Sequence, residues 1–261
     1  MKGWVCLMYH DVGGDRGATS GGPERFRVPT SAFASQLDQI AGLGWQGRSI
    51  ARLASGEAAP AVAISFDDGE VGQFAHAFPA LAARGMTATF FVATSWVGRA
   101  GYVSWDQLRE MKAAGMSIQS HTHTHPFLSE LDAGSVAEEL RVSKAMLDER
   151  LEQDTDTIGL PHGDFPRRAL RGLLGSTGYR TVATSRWGVN RAVRADGVRI
   201  VRRCTVRGAP SPDEFGRILR GDPWLSTRRG LRESTLGAMR RAIGPTRYAR
   251  WRRRFLDAVS S

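Results

Sequence analysis

The sequence predicts an α/β fold built on a mostly parallel sheet or barrel. Two observations carry that prediction. Short β-branched apolar runs alternate with stretches of helical periodicity along most of the chain, the rhythm of βα units. Polar clusters also follow directly on four of those runs, where parallel α/β folds assemble their sites. The 261 residues are 41% apolar, enough to bury a substantial core without covalent staples.

Lys2 to Tyr9 reads as the first strand, ending at Tyr9-His10-Asp11, and a Gly-rich loop follows (Gly13, Gly14, Gly17, Gly21, Gly22). Phe33, Leu37, Ile40 and Leu43 keep helical spacing, with Thr30 or Ser31 as the expected cap and Gly44 as the stop. Ala61 to Phe66, preceded by Pro60, is a buried strand that ends at Asp67-Asp68-Gly69. A helix around Phe74 to Arg84 precedes the strand Thr87 to Val92, and Ser104 opens a helix closed by Gly115. Met116 to Ser120 is a strand that delivers His121, His123 and His125, and a longer helix covers Gly134 to Leu151. Thr155 to Leu160 runs as a strand into Pro161-His162-Gly163. Arg167 to Thr177 reads as helix, Tyr179 to Thr184 and Val198 to Val206 as strands. A basic helix with Leu236, Met239, Ile243, Tyr248, Trp251 and Phe255 as its apolar members ends the chain.

Neighbouring carboxylates at a strand end point to opposite sides, so Asp67 and Asp68 can take different tasks, one holding a cation and the other a proton. Three histidines within five residues supply the imidazoles that, with a carboxylate, form an open set for zinc or another divalent ion. Spacing leaves the choice among them open. His121 and His125 share a face of a helical turn, which Pro126 disfavours, whereas an extended segment aligns His121, His123 and His125.

Three motifs then carry a resemblance. Ser-Phe-Asp-Asp-Gly at 65–69, His-Thr-His-Thr-His-Pro at 121–126 and Leu-Pro-His-Gly-Asp at 160–164 resemble, in order, those of the NodB-type polysaccharide deacetylases, the fourth carbohydrate esterase family. Leu7 to Val12, Thr87 to Val92 and Ser104 to Gly115 support it, so the likeness spans about residues 5 to 206. It implies a distorted, incomplete (β/α) barrel and removal of acetyl groups from an acetylated sugar or polysaccharide with a divalent metal, most often Zn2+. Asp67 is then the general base, and Asp68, His121 and His125 hold the metal. His123 stays outside, and the backbone N–H of His162 helps hold the oxyanion. His10 takes the place of the late-strand histidine that many members use as acid, as in a permuted branch with an N-terminal Tyr-His. Gly159 stands where many relatives carry an arginine that orients the base, and His162 where tyrosine is usual. Gly159 and the absent late-strand histidine favour the alternative of a catalytically weak, metal-containing glycan-binding relative. The expected organisation is a deacetylase-like catalytic domain over 1–230 and, from charge and apolar spacing, a basic helical extension over 231–261.

The net charge of +10 is concentrated late, with arginines recurring from Arg217 to Arg254. The expected partners are an acetylated glycan and, through this basic segment, an anionic membrane surface; nucleic acid is not expected. No stretch approaches the roughly 20 apolar residues of a membrane helix, and the N-terminal apolar run is too short for a signal peptide. A cytoplasmic location, with attachment to a membrane surface, is the expectation. Cys6 and Cys204 read as small core residues. Trp96, Trp105 and above all Trp187 are candidate platforms for sugar rings. His76 and Asp164 are assigned structural and turn roles.

Overall fold

A computed structural model describes residues 3–13, 26–56, 60–164, 170, 172–191, 194–195, 197–228, 244 and 247. Its main sheet contains ten strands in the order β10-β11-β9-β8-β7-β6-β5-β1-β12, with β4 also on β5. These are β1 (Cys6–Tyr9), β4 (Gln46–Arg48), β5 (Ala61–Phe66), β6 (Thr89–Val92), β7 (Ser117–Ser120), β8 (Thr157–Gly159), β9 (Thr181–Thr184), β10 (Arg194–Ala195), β11 (Val198–Arg202) and β12 (Cys204–Thr205). All pairings are parallel except β10 with β11. A separate two-stranded sheet pairs β2 (Asp11–Gly13) with β3 (Arg27–Pro29).

Closure comes from one stretch of chain. β11 pairs with β9 at one end of the sheet, and β12 pairs with β1 at the other. Only Arg203 separates them. The run from Val198 to Thr205 therefore changes partners midway and spans the opening, giving a nearly closed (β/α) barrel.

Strand parity decides what enters the barrel. Along β5, Val62, Ile64 and Phe66 pack outward into the main core with Phe33, Leu37 and Ile40 of α1 (Thr30–Gly42). Ala61 and Ala63 face inward, in a smaller cluster with Cys6, Phe91, Ala183 and Val201. All six β5 residues are buried, as expected of a parallel strand covered on both faces. The same parity turns Asp67, Gly159 and Arg203 inward. Cys6 lies in the inner cluster and Cys204 in the outer one, so both act as buried free thiols rather than a disulfide.

Several element expectations need correction. Neither Thr30 nor Ser31 caps α1; Pro29 precedes it with no side-chain cap. β4 and the helix α2 (Ile50–Ala54) lie in a stretch to which the sequence reading assigns no element. The helix expected from Phe74 begins as a π-helical turn, Gln73–Ala77, before α3 (Phe78–Ala82). Ser104 does cap α4 (Trp105–Ala113) in a reciprocal box with Gln107. The helix expected at Gly134–Leu151 is α5 (Ala133–Leu151), capped by Asp132. The expected helix at 167–177 is observed only as Leu173–Ser176, with 165–169 and 171 outside the described residues. The stretch expected to form a basic terminal helix lies almost wholly outside them as well. Among the described residues, no helix is long and apolar enough to cross a membrane.

Candidate active site

The carboxyl ends of β1, β5, β7 and β8 bring His10, Asp67-Asp68, the histidine segment and His162 to one end of the barrel. The chain leaves β5 through Asp68 at φ 77° and Gly69 at φ 77°. This sharp turn separates the two carboxylates. Asp68 Oδ1 lies 3.3 Å from His121 Nε2 and 3.2 Å from His125 Nε2. One ligand atom from each of these three residues falls within 4.8 Å of the others. Asp67 sits beside them, its Oδ2 3.9 Å from His121 Nε2.

The histidine segment is neither helix nor strand. Thr122 and His125 both take left-handed conformations, at φ 67° and 61°. Glu139 of α5 holds the bend by accepting from His123 N and Thr124 N, both at 2.8 Å, and from the Thr124 hydroxyl at 2.6 Å. Thr122 Oγ1 accepts from His125 N at 3.1 Å. His123 is turned aside, with Nδ1 2.8 Å from Thr94 Oγ1. His121 Nδ1 lies 2.8 Å from Gly159 O, so a proton on Nδ1 leaves Nε2 as the free donor atom for a cation.

Arg203 is the feature that sequence reasoning missed. It is fully buried and grips Asp67 with two guanidinium nitrogens, Nη1 to Oδ1 at 2.5 Å and Nη2 to Oδ2 at 2.9 Å. Its Nε donates to Thr184 O at 3.1 Å, and its guanidinium carbon lies 5.0 Å from the centre of the Phe91 ring. Asp67 thus has an arginine partner, supplied by the closing strand rather than from position 159. Gly159 is also required where it stands. A Cβ there would lie 2.8 Å from Phe91 Cγ and 3.1 Å from His121 Nδ1.

Electrostatics follow from these contacts. Burial pushes the Asp67 carboxyl up, but the charges of Arg203 and His121 outweigh it and hold the group below its usual range. Burial acts likewise on Asp68, where hydrogen bonds from His121 and His125 hold it well below. His121 is raised because Asp67 and Asp68 overcome its burial. His10 is lowered, burial outweighing the attraction of Asp68 and Asp67. Its ring stacks on Phe26 with centroids 4.4 Å apart.

His162 has φ 58°, and its ring stacks on Phe127 at 3.9 Å while meeting His125 edge-on at 4.5 Å. Of the proposed sugar platforms, Trp96 packs at 4.7 Å from His125 and at 5.0 Å from Tyr102, forming one wall of the site. Trp187 is only 7% exposed within the main core, so it offers no platform. Trp105 also packs against that core. His76 is exposed on the π turn, and Asp164 is buried, accepting from Ser129 N at 2.7 Å.

Residues 55–182 match the family described as polysaccharide deacetylase. The putative polysaccharide deacetylase YxkH of Bacillus subtilis is 29% identical over 216 residues, covering 80% of this chain and 74% of that one. Among solved structures, the Streptococcus pyogenes deacetylase PplD, in complex with acetate, superposes with a TM-score of 0.74 at 26% identity. That match covers 84% of this chain and 98% of PplD. IcaB from Ammonifex degensii superposes at 0.70 with 29% identity, covering 84% and 96%. With the barrel, the ordered motifs and these relatives in agreement, this chain is similar to the polysaccharide deacetylases, and residues 55–182 match their family model.

Proposed function

We propose that the protein is a divalent-metal-dependent hydrolase that removes the acetyl group from an N-acetylated sugar within a glycan. The observation that carries this reading is the meeting of Asp68 Oδ1, His121 Nε2 and His125 Nε2, beside an Asp67 locked by Arg203. The donor chemistry fits a metal: two imidazoles and one carboxylate suit Zn2+ and leave coordination positions open. The hydrogen bond between His121 Nδ1 and Gly159 O is the outer support such a ligand needs. When bound, the ion would polarise the acetyl carbonyl and acidify a water.

The chain's own groups do the rest. Asp67, ionised at neutral pH and fixed by Arg203, takes the proton of the water that attacks the acetyl carbon. The oxyanion gains a hydrogen bond from the backbone N–H of His162. His10, after taking up the proton that Asp67 removed from the water, gives it to the sugar nitrogen as the C–N bond breaks, releasing acetate and a free amine. Trp96 offers an aromatic wall against the sugar ring. The late arginines hold the protein against an anionic membrane surface; deleting residues 231–261 should reduce its sedimentation with anionic vesicles.

The weak-binder alternative loses its main support, because Asp67 does have its arginine. The test is acetate release from a panel of N- and O-acetylated oligosaccharides by metal-stripped and Zn2+-reloaded protein, with Asp67→Asn and His121→Ala alongside. Release should require the ion and vanish in both variants. Equal release by stripped protein or by either variant would refute the reading.

A further inference from the structure

Behind the carboxylates lies a contact that this chemistry does not yet use. Gln73 starts the π-helical turn and is only 1% exposed. Its Nε2 donates to the carbonyl oxygen of His10 at 2.7 Å and to that of Asp67 at 2.5 Å. The amide can sit only this way round, since a flip would set Oε1 against two carbonyl oxygens, acceptor on acceptor.

Those carbonyls belong to the residues that leave β1 and β5. The strands are still joined by Asp67 N donating to Tyr9 O at 3.0 Å. Beyond that bond they diverge, one into His10 and β2, the other into the left-handed turn at Asp68. Gln73 reaches across the divergence. Its approach depends on Gly72, where a Cβ would lie 2.2 Å from both Asp11 Oδ1 and Val12 O. Any side chain at 72 would push the π turn away from the link between β1 and β2.

We propose that Gln73 is a positioning residue that sets the separation of His10 from Asp67, the proton donor and acceptor of the reaction described above, on whose reading this inference rests. One carboxamide holds both backbones, so the two groups cannot shift independently. A misplacement of about 1 Å at such groups costs on the order of 100-fold in rate. Gln73 lies outside the metal ligand set, so its loss should leave ion binding alone.

The test compares Gln73→Met, Gln73→Asn and Gly72→Ala with wild type for Zn2+ stoichiometry, kcat and KM, with Asp67→Asn and His10→Ala as references. Gln73→Met removes both donors at similar length, and Gln73→Asn is one methylene short should the first not fold. Gly72→Ala forces the turn away with the amide intact. Folded variants should bind Zn2+ as wild type does, hold KM, and lose kcat by about 10- to 100-fold. The double variant Gly72→Ala/Gln73→Met should be no slower than the worse single one, as shared causes are not additive. A folded, Zn2+-loaded Gln73→Met with wild-type kcat overturns the inference, as does a loss confined to KM or to metal content. Full activity in Asp67→Asn and His10→Ala would instead overturn the site reading itself.

Discussion

Replacing Arg203 with methionine isolates the pairing on which the state of Asp67 depends. The guanidinium is fully buried, and Asp67 is 3% exposed. Removing the cation strands a carboxylate that water cannot reach. Breaking a buried pair from one side costs about 3–5 kcal/mol, whereas removing both charges together is far cheaper. Urea unfolding of wild type, Arg203→Met, Asp67→Asn and the double variant should therefore show the single arginine variant losing about 3–5 kcal/mol and the double losing much less than the sum.

Acidity supplies an independent check with a definite sign. In the wild type, Asp67 lies below its ordinary value, because Arg203 and His121 outweigh burial. Its share of stability is therefore present above the unfolded carboxyl's pKa of about 3.9 and is lost as pH falls through the lower folded value. Without Arg203 the burial effect, which raises the pKa, loses its main opponent. The folded carboxyl then binds its proton more readily, and the penalty of ionising it shrinks on acidification. The stability gap between wild type and Arg203→Met should be widest near neutral pH and narrow towards pH 4, while the acidic limb of kcat/KM moves to higher pH. A gap of less than about 1 kcal/mol at neutral pH, or one that widens in acid, would refute this account of the pair.

Two further outcomes test the histidine bend. Glu139→Ala removes three hydrogen bonds from residues 123–124 without touching a ligand, and Zn2+ affinity by competition titration should fall about 10–100-fold, the usual cost of losing a ligand's outer support. His123→Ala, by contrast, deletes a ring tied to Thr94, so Zn2+ stoichiometry by elemental analysis should stay at the wild-type value.

Much of this site was legible because its residues are local in sequence. Parity along Ala61 to Phe66 turns Asp67 inward, and the ordered motifs separate His121 and His125 from His123. The bend that makes this choice is held by Glu139, sixteen residues beyond His123 on another element, which no spacing rule reaches. Trp187 misled for a similar reason. It follows a strand, as site residues do, but the loop returns its indole to the core.

Arg203 was hidden differently. The run Val198 to Val206 reads as a strand, and it holds no histidine. A stronger signal was present: Arg202 and Arg203 are adjacent, and neighbouring strand residues face opposite ways. In a strand facing a closed interior, one of the two must enter it, and a buried arginine needs an anion. The inward Asp67 is such an anion. The two residues are 136 positions apart, and their meeting requires the last strand to cross from β9 to β1. Barrel closure and the ionisation of Asp67 are thus one event: whatever opens the seam at residue 203 also releases the carboxylate. Mild loosening of that seam should therefore cost activity before global unfolding is detectable.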